Sequence, residues 1–195
     1  MASNRAGGIP GQFDWSMFAA VREKWCGWML GLSLSAWPLS GEKACFFVIL
    51  AGVLVLIALY DWRYGLIYDQ LVILLVLLSG LPLSYGQMNV LDAVTGAALG
   101  SGLLLLLRGL SQGGLGLGDV KLAAALGLWL GWENMILCLL LASCGGLVYG
   151  AILLCRRQIE RRTPLPFGPF LAGGALLAFA TGQVIWTYLE AFLWG

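Results

Sequence analysis

Hydrophobic residues run along this chain in long unbroken blocks and do not alternate with polar ones. Blocks at 44–60, 66–83, 90–107, 119–132, 135–155 and 167–188 are separated by short polar or glycine-rich breaks. An earlier block, 25–39, is shorter than the roughly 20 residues of a full span and is taken to cross with its flanks. Lipid offers no partners to backbone N–H and C=O groups, so continuous apolar blocks predict helices that satisfy themselves internally. The expected fold is therefore all-α: a polytopic transmembrane helix bundle of six or seven spans. Residues 1–43 form an N-terminal segment carrying the first candidate membrane helix, and residues 44–195 form the core. Small residues recur at helical spacing, at Gly96 and Gly100, Gly127 and Gly131, and Gly146 and Gly150, as close helix packing requires.

Charge is sparse, and where it falls changes the picture. Only 11% of residues are charged, so an acid at the edge of an apolar block demands an explanation. Asp61 closes the 44–60 block. Asp119 opens the 119–132 block, directly after a run holding Gly113, Gly114, Gly116 and Gly118. Asp69 and Asp92 also lie near block ends and are read as caps or packing polars. RRQIERR, at 156–162, carries four arginines against one glutamate and is expected on the cytoplasmic side. Counting blocks from there puts Asp61 and Asp119, 119 − 61 = 58 residues apart with two spans between them, at the same cytoplasmic face.

Composition then removes whole classes of chemistry. The chain holds no histidine, which excludes a Ser-His-Asp triad, a Cys-His pair and His-ligated zinc or haem. Its five cysteines form no CxxC and read as small core residues. A net charge of +1 offers no basic surface for nucleic acid. The first fifteen residues, MASNRAGGIPGQFDW, have no apolar core and are not expected to be a cleaved signal peptide. No metal or cofactor is expected, and the surrounding partner is the lipid bilayer.

Two carboxylates that share a proton can hydrolyse a peptide without a metal, one activating water and the other protonating the leaving amine. Asp61 and Asp119 are thus the candidate catalytic pair, with Gly116 and Gly118 as a loop that lets a substrate backbone come close. Asp119 is expected to open a helix and Asp61 to close one. The positive end of a helix favours an anion, which assigns Asp119 as the base and Asp61 as the acid. Lys121, two residues past Asp119, is read as a group that tunes Asp119 or holds an acidic lipid or substrate group.

Four segments carry a resemblance to a known family. They are Asp61-Trp62-Arg63 with Ile67 and Asp69; Asp92-Ala93-Val94-Thr95-Gly96; Gly116-Leu117-Gly118-Asp119-Val120-Lys121-Leu122; and Pro166-Phe167-Gly168-Pro169-Phe170. Together they resemble the prepilin peptidases, GxGD membrane aspartyl proteases that process type IV prepilins and type II secretion pseudopilins. The resemblance covers about residues 44–180. It implies that Asp61 and Asp119 are catalytic, and that cleavage occurs at the cytoplasmic face of the bacterial inner membrane. It further implies a prepilin or pseudopilin substrate with a short basic leader ahead of a hydrophobic helix, cut after a glycine. Larger members also methylate the new N-terminus and carry a cysteine-rich insertion with paired CxxC motifs. The insertion is missing here, so the resemblance extends to the peptidase and not to the methyltransferase. Tyr68 stands where the family often has proline. Tyr60-Asp61 and the GLGD box also look like presenilin-type proteases, although those place their acids on consecutive helices. A non-catalytic membrane scaffold or transport subunit is the alternative from another class.

Overall fold

A computed structural model describes residues 41–86, 88–111, 114–156 and 166–194. The expected helix at 25–39 and most of the RRQIERR segment lie outside the described residues. Among those described, all regular structure is helical: α1 Gly41–Tyr64, α2 Asp69–Leu78, α3 Gly80–Ser84, α4 Val90–Leu110, α5 Leu117–Cys155 and α6 Gly168–Trp194. Four of these, α1, α4, α5 and α6, are long and apolar enough to cross a membrane. Their outer faces agree with that: Leu91, Leu147 and Phe192 are each at least three-quarters exposed, a burden in water but not in lipid. The chain is a multi-pass membrane protein.

Three expected spans differ in detail from their sequence blocks. The 66–83 block does not form one helix; it divides at Ser79 into α2 and α3. Pro82 has no N–H to give to the preceding turn, and the Ser79 hydroxyl turns back to the Val76 carbonyl at 2.6 Å. The blocks at 119–132 and 135–155 share the single element α5, whose 39 residues would extend about 58 Å at 1.5 Å each, nearly twice a bilayer core. They do not extend that far. Gly131 has φ 74° and ψ 175°, a left-handed setting that breaks the helix into arms at 117–130 and 132–155. The expected turn at 133–134 thus falls two residues earlier, at the glycine able to make it.

The packing shows that the second arm folds back. On the first arm, a methyl group added to Gly96 of α4 would lie 2.6 Å from the Gly127 carbonyl oxygen, and one added to Gly100 would lie 3.0 Å from that of Ala123. Backbone thus meets backbone where α4 and the first arm cross antiparallel. On the second arm, Asn134 sits against Gly182, Cys138 against Gly174 and Gly146 against Phe167, so this arm runs antiparallel to α6. Helix α1 also lies antiparallel to α6, with Phe47 near Phe179 and the Lys43 ammonium donating to Gln183 at 3.1 Å. Helix α2 runs parallel to the first arm, and the buried Trp129 indole N–H donates to the Leu75 carbonyl at 2.8 Å. The core along α1 is Leu50, Leu54 and Ile57, all fully buried, at the 4- and 3-residue steps of one helix face.

This topology gives the bundle two unlike ends. One end gathers the C-terminus of α1 and the starts of α2, α5 and α6. The other gathers Lys43, Met88, Asp92, Glu133, Asn134 and Gln183 around a cavity of about 330 Å³.

Candidate active site

Asp61 lies in the last turn of α1. Gly65, with φ 63°, ends that helix by donating its N–H to the Asp61 carbonyl at 2.8 Å. Asp119 lies in the first turn of α5. Both acids are buried, at 5% and 7% exposure, and with Ser79 they are the only buried polar side chains among the described residues. The fold brings them to the same end of the bundle, where Gly118, next to Asp119, seats against Ile67, six residues past Asp61.

Each carboxylate lies against a glycine. Gly168, at the start of α6, donates to Asp61 Oδ2 at 3.0 Å. Gly116 backs closely onto the Asp119 carboxylate. The glycines are required sterically as well. A methyl on Gly168 would fall 2.5 Å from Asp61 Oδ2, and one on Gly116 would fall 3.0 Å from Asp119 Oδ2. One on Gly118 would strike Ile67 Cβ at 3.0 Å. The glycine loop is itself tied down, because the Arg108 guanidinium at the end of α4 donates to the Leu115 carbonyl. Trp62, beside Asp61, packs on Tyr149 with ring centres 5.8 Å apart, and Tyr149 packs on Phe170 at 5.4 Å. That aromatic chain links α1, the second arm of α5 and α6 around the acids.

Lys121 lies at this end too, and its ammonium donates to both oxygens of Asp69 at 2.8 Å. Asp69, read from sequence as a cap or packing polar, is the first residue of α2 and the partner of that lysine. Asp92 is at the opposite end, lining the cavity there. Gly168 is the site residue that residue-by-residue reading missed. Its one signal was its place between Pro166-Phe167 and Pro169-Phe170, which marks a constrained turn into a helix but does not name Asp61 as what the turn faces. The expected dipole asymmetry is also offset. Asp61 sits at the negative end of its own helix, but the positive end of α6 points at it through Gly168. Among the described residues, no three His, Cys, Asp or Glu side chains gather as a metal site.

The sequence model of the Type IV leader peptidase family matches residues 48–151, more than half of the chain and both acids with it. The chain belongs to the type IV leader peptidase family. Curated relatives agree with this placement. A prepilin leader peptidase/N-methyltransferase of Stutzerimonas stutzeri is 33% identical over 174 residues, 85% of this chain and 59% of that protein. The protein of the same description from Pseudomonas aeruginosa PAO1 is 37% identical, covering 73% of this chain and 52% of its own length. That from Escherichia coli K12 is 38% identical, covering 67% and 59%. This family member therefore spans between half and three-fifths of the length of these relatives. No solved structure matches it.

Proposed function

We propose that this chain is an aspartyl endopeptidase that removes the leader peptide of type IV prepilins or pseudopilins, with Asp61 and Asp119 as its catalytic pair. The observation that carries the proposal is the burial of two carboxylates at the same end of a membrane bundle, in a chain of the leader peptidase family. Two like charges held together in a dry site share a proton, so one group is a base and the other an acid. The base takes a proton from water as the water oxygen bonds to the scissile carbonyl carbon. The acid gives its proton to the amide nitrogen as the C–N bond breaks, leaving a carboxylate and an amine. Because the ionisation of one acid opposes that of the other, the two act as one coupled unit with shared constants. Gly116 and Gly118 keep the loop thin where a substrate backbone must approach, and Lys121 holds a positive charge at the rim.

The proposed setting is the bacterial inner membrane, with the site at the cytoplasmic face. Arg63, Arg108, Lys121 and Arg156 lie at the site end among the described residues, against Lys43 at the other, the bias expected of a cytoplasmic side. The relatives' printed names pair leader peptidase with N-methyltransferase; the proposal for this chain covers the peptidase.

The test is cleavage of a purified prepilin substrate by wild type, Asp61→Asn and Asp119→Asn. Each variant should lose activity on the order of 10³-fold or more, as members of a catalytic unit do. Near-normal cleavage by either would overturn the assignment. A scaffold or transport subunit would leave the leader attached in every sample, wild type included.

A further inference from the structure

We propose that the Asp69–Lys121 ion pair, with Ile67 seated on Gly118, is the strut that sets the distance between the segments bearing Asp61 and Asp119. Asp69 and Lys121 are then positioning residues for leader cleavage. The proposal rests on the catalytic reading of the two acids given above.

Helix α1, which carries Asp61, leans along α6 and touches α2, but it makes few direct contacts with α5, which carries Asp119. Helix α6 packs on both and joins them from one side, so a tie on the other side would fix their register. The chain supplies it within eight residues of Asp61. It leaves α1 at Gly65, lays Ile67 against Gly118, and starts α2 at Asp69. Asp69 then takes both of its hydrogen bonds from Lys121, two residues past Asp119. The connector from the first acid is thereby fastened on both sides of the second acid, at Gly118 before it and at Lys121 after it. Further along, the Trp129–Leu75 hydrogen bond keeps α2 parallel to the first arm, so the strut stands on a rigid base.

The Asp69–Lys121 pair is open to water. Its side chains are 52% and 64% exposed, and ion pairs this open to water add little to stability. Geometry is more sensitive than stability here, because a shift of about 1 Å in a reacting group can cost on the order of 10²-fold in rate. The pair also accounts for two motif residues that the acid–base step does not use. Lys121 turns its ammonium to Asp69 and not to either acid of the pair.

The experiment uses the full chain in detergent with a prepilin peptide holding a basic leader, a glycine and an apolar helix. Cleavage kinetics and thermal unfolding are measured for wild type, Lys121→Arg, Asp69→Lys, Lys121→Asp and the double charge exchange. Each reversal should lower kcat about tenfold or more, with KM and the unfolding temperature little changed. Lys121→Arg should retain kcat, and the exchange of both charges should recover most of it. A single reversal as active as wild type would overturn the strut while leaving the catalytic pair untouched. A double exchange no better than the single reversals would also overturn it, since the charges would then act on separate partners. A wild type that cleaves nothing would sink the catalytic reading and the strut together.

Discussion

Gly168 shows how narrow the tolerances are at the level of single residues. Its N–H holds Asp61 Oδ2 at 3.0 Å, and no side-chain atom fits between them. Gly168→Ala must therefore push the carboxylate aside or swing the start of α6 outward. Either displaces a reacting oxygen, and kcat should fall by about 10²-fold. Gly102 is the fitting control, because a methyl there meets nothing within 4 Å. Gly102→Ala should cleave as wild type does, in the same peptide assay. If Gly168→Ala also kept full activity, the Gly168–Asp61 hydrogen bond would have no part in catalysis.

Helices are held here by how closely their backbones approach. Within a bilayer the apolar effect does not drive helices together, so dispersion contacts at small residues have to do so. Gly127 lies so close to Gly96 that any side chain on either would overlap the facing backbone. Gly127→Leu should separate α4 from the first arm of α5 and destabilise the bundle by about 1–3 kcal/mol or more. Thermal unfolding in detergent would register this as a lower midpoint, and an unchanged midpoint would mean that the crossing is looser than described. Gly131 works differently. Its φ of 74° with ψ 175° is open to glycine and strained for other residues, by roughly 1–3 kcal/mol. Gly131→Val should weaken the return of the second arm and so lower the midpoint as well, although Gly131 is far from the acids.

The molecule as a whole is polarised, with chemistry at one end and a mixed cavity at the other. Asp92 belongs to the second end, beside Lys43, Glu133 and Asn134. Asp92→Asn should therefore leave leader cleavage within about twofold of wild type, where either substitution in the acid pair abolishes it. The same polarity predicts orientation. A cysteine placed at Ser111, at the site end, should be shielded from an impermeant thiol reagent added to intact cells. One placed at Glu133 should react, and the opposite pattern would reverse the proposed orientation.

The sequence by itself determined the helical class and most of the helix positions, and it singled out the two acids that the fold buries at one end. The physical reason is local: lipid forces every apolar block to be a helix, and a carboxylate at the edge of such a block stands out against so few charges. Span parity even placed Asp61 and Asp119 at one end. What the chain could not disclose from neighbouring residues was decided by tertiary structure. Lys121 sits two positions from Asp119, and sequence proximity suggested that the two interact; the fold instead carries Asp69, 52 residues away, to the lysine. Asp61 reads as an acid at the negative end of its own helix until α6 arrives from 107 residues further on and turns Gly168 toward it. The break at Gly131 has the same origin. Glycine permits a left-handed turn but does not compel one, and here the turn is taken because α4 and α6 offer the two arms antiparallel faces to pack against.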